Sequence, residues 1–293
     1  MHSEPHNLDP ELADGLAEHD TDHRRVRVVQ VGEGVAFGPD HLVVIAGPCA
    51  VESIDQLRET ARSVREVGAS LLRGGAFKPR TRPESFQGLG ADGLKLLAEV
   101  GTELSMPVVT EVLDPRDVDL VGEVASMFQI GSRNMQNSAL LREVGKRRLP
   151  VLLKRAASAT LDEFLGAADY IREEGNDQVV LCERGLRSFD PKTRYLLDLA
   201  AVPALHAMTD LPVVVDPSHG TGRRELVRPM ARAAVVAGAD GVMVEVHPRP
   251  EDALSDGPQA LRPKDFSALM ADIRALAPML RRAVPGTPVP GCR

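Results

Sequence analysis

The chain has 293 residues, of which 43% are hydrophobic and 26% are charged, a composition typical of a soluble globular protein. Its net charge of −7 argues against a broad nucleic-acid surface, and no apolar run approaches the roughly 20 residues that a membrane span requires. The three cysteines are odd in number and far apart, which argues against a secreted disulfide scaffold and predicts a reducing, cytoplasmic compartment.

The two ends of the chain are predicted to lie outside the folded domain. Residues 1–24 contain no apolar core of a signal peptide, and their four histidines lack tight ligand spacing, so we expect a disordered polar arm. Residues 285–293 are also expected to be disordered. Residues 25–41 alternate in polarity and turn at Gly32–Gly34, which predicts a small β-hairpin that caps the bottom of the next domain.

From residue 42 to residue 284, a short apolar run, a turn and a helical stretch repeat in that order. The apolar runs are nearly continuous, which indicates parallel strands covered on both faces. The helical stretches begin at capping residues such as Ser53 and Thr160. The predicted strands are residues 42–46, 70–73, 107–111, 127–130, 150–154, 178–182, 212–216 and 241–245. Eight such units predict a (β/α)8 TIM barrel rather than a doubly wound open sheet, with its active site at the C-terminal ends of the strands.

Polar residues that follow the predicted strands form two chemical groups. The first group combines one thiol, one imidazole and two carboxylates, and consists of Cys49, His219, Glu245 and Asp256. Mixed sulfur, nitrogen and oxygen donors suit a divalent transition metal (Mn, Co, Fe or Zn) better than Mg or Ca. Singly, Cys49 is typical of a small buried apolar residue and Asp256 of a turn. Their joint placement at the strand ends predicts a metal site.

The second group is basic and lies in a chain that is acidic as a whole. It consists of Arg73, Lys78, Arg80, Arg133, Lys154 and Arg184. An arginine after a strand is commonly a solvated surface charge, but this many cations at one face predict a phosphorylated ligand. Gly74 and Gly75 are expected to let the backbone approach that anion closely.

Together these motifs resemble the type I 3-deoxy-D-arabino-heptulosonate 7-phosphate (DAHP) synthases, in the compact group allied to the 3-deoxy-octulosonate 8-phosphate synthases. The similarity runs from about Val43 to Phe266, through AGPCAVES, RGGAFKPRT, QIGSRNMQN, CERG, DPSH and LSDG. It implies a metal-dependent condensation of phosphoenolpyruvate (PEP) with erythrose 4-phosphate that releases phosphate, the first step of the shikimate pathway to aromatic amino acids.

The resemblance also implies roles for individual residues. The metal ligands would be Cys49, His219, Glu245 and Asp256. The carboxylate and phosphate of PEP would be surrounded by Arg73, Lys78, Arg133, Lys154 and Arg184. Glu183 and Asp216 are also expected to bind substrate. The aldose phosphate would meet Pro79, Arg80 and Thr81, next to Lys78. Lys78, Cys49 and His219 are expected to be catalytic, with Lys78 as proton donor to the forming hydroxyl. Either Glu111 or Asp216 is expected to orient water.

Two positions depart from the family pattern and leave the aldose open. Ala156 stands where a glycine is usual, so either its backbone is ordinary or the loop shifts near Lys154. Tyr195 stands where asparagine is common. One alternative is an octulosonate 8-phosphate synthase, which uses arabinose 5-phosphate, but the stretch KPRT favours erythrose 4-phosphate. The other is a non-catalytic phosphate-binding barrel, which would not need all four metal donors.

The sequence also leads to expectations about the oligomeric state of the protein and about its feedback inhibition. We expect a homo-oligomer, a dimer or tetramer, without nucleic-acid or membrane partners. About 41 residues precede the first predicted barrel strand, too few for a ferredoxin-like regulatory domain in addition to the hairpin. The loops between units are expected to be short. We therefore expect hyperbolic kinetics and little feedback inhibition by aromatic amino acids, chorismate or prephenate.

Overall fold

The described part of the protein begins with the predicted hairpin. The computed structural model describes residues 26–32, 34–80 and 82–285, so the predicted arm, Thr81 and the tail after residue 285 lie outside the described residues. Strand β1 (Val29–Gln30) pairs antiparallel with β2 (Ala36–Phe37). Gly32 and Gly34 have positive φ in the connection between the two strands, where the sequence predicts the turn.

Eight parallel strands then close into a barrel, which confirms the predicted fold. They run in chain order around the barrel, and the last strand pairs with the first. The strands are β3 (Val43–Gly47), β4 (Leu71–Arg73), β5 (Val108–Glu111), β6 (Met127–Ile130), β7 (Val151–Lys154), β8 (Val179–Glu183), β9 (Val213–Val215) and β10 (Gly241–Glu245). Every strand residue is buried, because side chains point alternately into the barrel and toward the helices.

Helices cover the outside of the barrel. Those in the described residues are α1 (Ile54–Glu66), α2 (Ala91–Leu104), α3 (Val118–Gly122), α4 (Ser138–Lys146), α5 (Leu161–Arg172), α6 (Ala201–Met208), α7 (Pro217–Thr221), α8 (Arg224–Val236) and α9 (Pro263–Leu276). The predicted caps are present: Ser53 Oγ accepts a hydrogen bond from Gln56 N, and Thr160 forms a capping box with Glu163. None of the described helices has the length and apolar character to cross a membrane.

The core has two layers, one outside the strands and one inside them. The outer layer packs strand residues against the helices and includes Phe128, Phe164 and Phe266. The inner layer joins barrel-interior side chains to the hairpin, where Val29 and Phe37 are fully buried. The hairpin therefore closes the N-terminal end of the barrel, as the sequence predicts for a cap on its bottom.

Long connections rise from the opposite, C-terminal end of the barrel. Residues 74–90 join β4 to α2, residues 184–200 join β8 to α6, and residues 246–262 join β10 to α9. The expectation that all loops are short is wrong at these three places, since typical connections have about 4–6 residues. These three connections lack the periodic apolar residues of a helix or strand, so the sequence pattern did not predict their lengths. They form the walls of the site described next.

Candidate active site

Four side chains from separate parts of the chain meet at the C-terminal end of the barrel. Cys49 follows β3, His219 lies in α7, Glu245 ends β10 and Asp256 lies in segment 246–262. One ligand atom from each of the four lies within 4.8 Å of the other three. The structure thus brings together the four residues that the sequence singles out as metal ligands.

The spacing of these atoms is suited to one metal ion. His219 Nε2 lies 3.3 Å from Glu245 Oε1 and 3.8 Å from Asp256 Oδ2, and Cys49 Sγ lies 3.4 Å from Asp256 Oδ2. Metal–ligand bonds of about 2.0–2.3 Å place neighbouring donors of a tetrahedral site about 3.3–3.7 Å apart. The four residues therefore fit a divalent transition ion, and their mixed donors do not select one among Mn, Co, Fe and Zn.

A buried carboxylate orients the histidine of this cluster. Asp216 caps α7, because its Oδ1 accepts a hydrogen bond from the backbone N–H of His219 at 3.0 Å. Asp216 Oδ2 lies 2.7 Å from His219 Nδ1, so Nε2 is the ring nitrogen that faces the cluster. Burial lowers the pKa of His219 despite the neighbouring Asp216 and Glu245 carboxylates, which favours the neutral imidazole that a metal requires.

The Glu245 carboxylate is held from both sides. Its Oε1 accepts a hydrogen bond from Arg73 Nη1 at 2.9 Å, and its Oε2 accepts one from Gln259 Nε2 at 2.6 Å. Both oxygens are fully buried with the residue. These hydrogen bonds fix the direction in which Glu245 presents its Oε1 to His219.

Lys78 lies directly beside the cluster. Its Nζ donates hydrogen bonds to Cys49 O at 2.9 Å and to Cys49 Sγ at 3.1 Å. Burial raises the pKa of Cys49 to about 12; the pKa of Lys78 is also raised, because Cys49 and Glu111 outweigh the lowering effect of burial. The sequence predicts that Gly75 lets the backbone approach an anion. In the structure a Cβ on Gly75 would lie 2.7 Å from Lys78 Cδ, so this glycine makes room for the lysine side chain instead.

A cavity of about 700 Å³ opens beside the four donors. Cationic side chains dominate its lining, namely those of Arg73, Lys78, Arg80, Arg82, Arg133, Lys154, Arg184, Arg187 and Arg194. Its acidic lining residues are Glu111 and Asp256. Because arginine and lysine bind phosphate and carboxylate oxygens, the cavity suits a ligand with several negative charges.

The buried cations of this cavity differ in their partners. Lys154 Nζ is 2.6 Å from Asp216 Oδ2, and Arg73 is paired with Glu245. Arg184 is only 5% exposed, yet no carboxylate of the described residues lies within ion-pair distance of it. Its guanidinium instead lies over the ring of Tyr195, 4.1 Å from the ring centroid. A buried charge without a counter-ion is costly, so a bound anion would complete the surroundings of Arg184.

Glu183 and Asp216 stand behind the cavity wall instead of lining it. Glu183 is fully buried, with Oε2 2.9 Å from Arg155 Nη1 and Oε1 accepting a hydrogen bond from Gly185 N. Arg155 also contacts Asp198 at 3.1 Å, which ties segment 184–200 to the end of β7. Both carboxylates therefore contact basic side chains behind the wall, Glu183 with Arg155 and Asp216 with Lys154, and neither lines the cavity itself.

The segment that carries the sequence KPR reaches across the mouth of the cavity. Arg133 Nη1 donates a hydrogen bond to Pro79 O at 2.8 Å, and Arg80 Nη1 donates one to Ser255 Oγ at 2.5 Å. Ser255 Oγ in turn lies 3.3 Å from Cys49 Sγ. Arg80 is therefore placed between the outer mouth and the four-donor cluster. Thr81 lies outside the described residues.

Two cavity residues in segment 184–200, Arg187 and Arg194, have no role in the prediction from sequence, and a third, Tyr195, enters it as a departure from the family pattern. Arg194 Nη1 contacts Asp256 Oδ1 at 3.3 Å and donates a hydrogen bond to Gln259 Oε1 at 3.0 Å. A signal for them exists, because basic residues recur in LRSFDPKTRY directly after a predicted barrel strand. Without the fold, nothing distinguishes these arginines from solvated charges.

The other departure from the family pattern, Ala156, leaves the backbone ordinary. It is not among the described non-glycine residues with positive φ, and its N–H contacts Met135 Sδ at 3.1 Å. The sequence left open whether the backbone at Ala156 is ordinary or the loop shifts near Lys154, and the structure has the ordinary backbone. Lys154, two residues earlier, ends β7 and reaches the cavity.

Comparisons with known proteins agree with this geometry. The model of the DAHP synthetase I family matches residues 25–279. The phospho-2-dehydro-3-deoxyheptonate aldolase of Thermotoga maritima is 48% identical over 258 residues, which are 88% of this chain and 76% of that protein. A 2-dehydro-3-deoxyphosphooctonate aldolase of Hydrogenovibrio crunogenus is 34% identical over 262 residues, covering 82% of this chain and 92% of that protein.

Solved structures give the same relationship. The crystal structure of the Thermotoga maritima aldolase, also called a DAHP synthase, superposes with a TM-score of 0.85 at 47% identity, covering 89% of this chain and 75% of that one. A truncated form of the Thermotoga DAHP synthase gives a TM-score of 0.83 at 45% identity, covering 89% and 96%. By sequence, by fold and by the residues at its strand ends, the chain belongs to the DAHP synthetase I family.

Proposed function

We propose that this protein is a metal-dependent DAHP synthase, which condenses PEP with erythrose 4-phosphate and releases inorganic phosphate at the start of the aromatic pathway. The main support is one juxtaposition: four transition-metal donors border a cavity whose lining is dominated by arginine and lysine. A metal beside a polyanion site suits a reaction between a phosphorylated enol and a phosphorylated aldehyde.

PEP is bound, in this proposal, by the basic inner wall, namely by Arg73, Lys78, Arg133, Lys154 and Arg184. Arg184 is a buried cation without a carboxylate at ion-pair distance among the described residues. Arg73 Nε is a second indication, because it is buried and has no hydrogen-bond partner in the described structure. A carboxylate or phosphate oxygen of PEP would satisfy both groups.

The aldose phosphate is bound, in this proposal, nearer to the mouth by Pro79 and Arg80; Thr81, which the resemblance adds to them, lies outside the described residues. The contacts of Arg133 with Pro79 and of Arg80 with Ser255 support this placement, since they hold the segment over the cavity. The residues KPRT at this position, as in the DAHP synthases that the chain resembles, favour the four-carbon aldose, erythrose 4-phosphate. Arabinose 5-phosphate is the alternative that the octonate aldolase relatives bring into the test.

Cys49, His219, Glu245 and Asp256 would hold a divalent transition ion, which when bound would polarise the aldehyde as a Lewis acid. C3 of PEP forms the new bond to the aldehyde carbon, and the ammonium group of Lys78 gives a proton to the aldehyde oxygen. Water adds to C2 and gives one proton to a carboxylate of the site. The bond between C2 and the phosphate oxygen then breaks with its electron pair going to the phosphate, and the remaining C2 hydroxyl proton passes to that phosphate as the C2 carbonyl forms. The products are the 2-keto sugar acid and hydrogen phosphate, which leaves among the basic side chains.

Glu111 is the carboxylate best placed to take the proton of the attacking water. It lines the cavity, accepts a hydrogen bond from Gln129 Nε2 at 3.1 Å and has no ion-pair partner among the described residues. Asp216, the other carboxylate considered from sequence, is already held by Lys154 and His219. Glu111 therefore orients water in this proposal, and Asp216 orients His219.

The decisive experiment measures PEP consumption by the purified full chain with each aldose phosphate, with and without a chelator. We expect erythrose 4-phosphate to exceed arabinose 5-phosphate widely in kcat/KM, and activity to depend on added Mn²⁺ or Co²⁺ after chelation. Equal values for the two sugars would contradict the assigned aldose, and full activity in excess chelator would contradict the metal.

The proposal also includes the cellular compartment and the oligomeric state. A reducing compartment such as the cytoplasm is supported by Cys49 and Cys182, which are free and buried. A homo-oligomer, as a dimer or tetramer, is expected as well. Sedimentation of the purified chain at two protein concentrations measures the assembly directly.

A further inference from the structure

Both tyrosines of this chain lie under an arginine side chain. Arg142 lies over the ring of Tyr170 on the outside of the barrel, with its guanidinium carbon 4.9 Å from the ring centroid. Arg184 lies over the ring of Tyr195 inside the cavity, at the shorter distance of 4.1 Å. The outer arginine also has carboxylate partners, Glu173 and Glu174, whereas the described structure places no carboxylate at ion-pair distance from Arg184.

An aromatic ring suits a cation that has to bind a second anion. The ring face attracts the guanidinium and limits it to one plane, but it does not neutralise the charge as a carboxylate would. The N–H groups of a stacked guanidinium lie at its edge, where a phosphate can accept two of them side by side. Arg184 therefore keeps its charge for a ligand, together with the donors that do not hydrogen-bond to the Tyr195 hydroxyl.

Tyr195 is itself fixed by the backbone. Its N–H donates a hydrogen bond to Gly220 O at 3.0 Å, and the next residue, Leu196, is bridged to Leu186. Gly220 follows His219 in α7, so the backbone at Tyr195 is tied to the helix that carries His219. Burial raises the pKa of the Tyr195 phenol, but nearby Arg184, Arg194 and Arg133 lower it overall, which places the phenol among the cations of the cavity.

We propose that Tyr195 is a positioning residue for the phosphate of PEP, acting through its ring on the plane of the Arg184 guanidinium. This inference rests on the proposed function for the identity of the ligand. The proposal explains why a tyrosine at position 195 differs in function from the asparagine common in related chains, because asparagine has no ring face to offer to Arg184. The outer wall of the phosphate site is thus aromatic in this protein.

The test compares Tyr195→Leu and Tyr195→Phe with Tyr170→Leu, which removes the matched ring outside the cavity. For each full-length protein we would measure KM for both substrates and the inhibition constant of inorganic phosphate against PEP. Tyr195→Leu should raise the KM for PEP and the phosphate constant about tenfold, the size of a desolvated cation–π contact. The KM for erythrose 4-phosphate should change less than about twofold, and Tyr170→Leu should match the wild type in all three values.

Tyr195→Phe separates the ring from the hydroxyl. We expect it to restore most of the PEP affinity that Tyr195→Leu loses. If the two variants lose the same affinity, the hydroxyl and not the ring is responsible, and the proposal is overturned. Unchanged PEP and phosphate constants in Tyr195→Leu would overturn it too. If Tyr195→Leu does not fold, Tyr195→Met provides the same comparison with an unbranched side chain.

A binding measurement separates this inference from the proposed function. Calorimetric titration of inorganic phosphate into the same purified variants requires no turnover. If the wild type fails to consume PEP with erythrose 4-phosphate, the proposed function fails, yet a weaker phosphate affinity in Tyr195→Leu alone still supports the ring–arginine contact. Equal phosphate affinities in the wild type and Tyr195→Leu would reject that contact as a part of the anion site.

Discussion

The two ends of the barrel bury side chains of opposite chemistry. At the N-terminal end, Val29 and Phe37 of the hairpin are fully buried against apolar residues of the barrel interior. At the C-terminal end, Arg73, Lys154 and Glu245 are buried almost as completely, but in ion pairs and beside a cavity.

The difference separates stability from function within one fold. Apolar burial stabilises the folded state in proportion to the area removed from water, whereas a buried ion pair loses much of its Coulomb energy to desolvation. The apolar end should therefore carry stability, and the charged end should carry ligand binding and chemistry. Substitutions at the two ends should affect different measurements.

The largest expected effect lies at the charged end. Cys49→Ala removes one of the four metal donors and should abolish turnover and metal retention, because an incomplete site loses both affinity and Lewis acidity. Activity and metal content after dialysis are the measurements. Cys182→Ala is the matched control, because Cys182 is also a buried free thiol and its Sγ donates a weak hydrogen bond to Glu183 O at 3.8 Å, away from the four donors. Full turnover of Cys49→Ala in excess chelator would remove the basis for a metal enzyme.

The apolar end is tested by Phe37→Ala. This change empties a fully buried site under the barrel and should lower the free energy of unfolding by about 3–5 kcal/mol. Urea denaturation measures the loss, and KM values measured at low temperature on the folded fraction should equal those of the wild type. A changed KM for PEP would show that the two ends are coupled, and it would contradict the assignment of stability to one end and ligand binding to the other.

A smaller effect should appear at the mouth of the cavity. Arg80→Ala removes a charged donor from the proposed aldose-phosphate site and should raise the KM for erythrose 4-phosphate about tenfold, with a lesser effect on PEP. The control is Arg116→Ala, an exposed arginine paired with Asp114 outside the cavity. An equal rise in both KM values would assign Arg80 to the whole cavity instead of the aldose.

The smallest effect is expected at a residue that lies near the charged end of the barrel but does not contact the cavity. Thr160 caps α5 near the C-terminal end of β7, yet it does not line the cavity. Thr160→Ala removes the capping box and should cost about 1 kcal/mol of unfolding free energy, measured by urea denaturation. Kinetic constants for both substrates should be unchanged. A rise in either KM would show that proximity to the charged end is sufficient to alter binding.

The sequence by itself determined the barrel and grouped the four candidate metal donors. Strand positions follow from local apolar runs, and in a parallel barrel every residue that follows a strand lies at the same end. Cys49, His219, Glu245 and Asp256 could be grouped for that reason, although long stretches of chain separate them.

Only the tertiary structure decided which charges pair and which remain available. Glu183 turns to Arg155 and Asp216 to Lys154, while Arg184 is left over the ring of Tyr195. These contacts join residues from different loops, and loops have no periodicity that a sequence could reveal. Their conformation depends on burial and on electrostatic interactions between distant parts of the chain, which exist only after the barrel has closed.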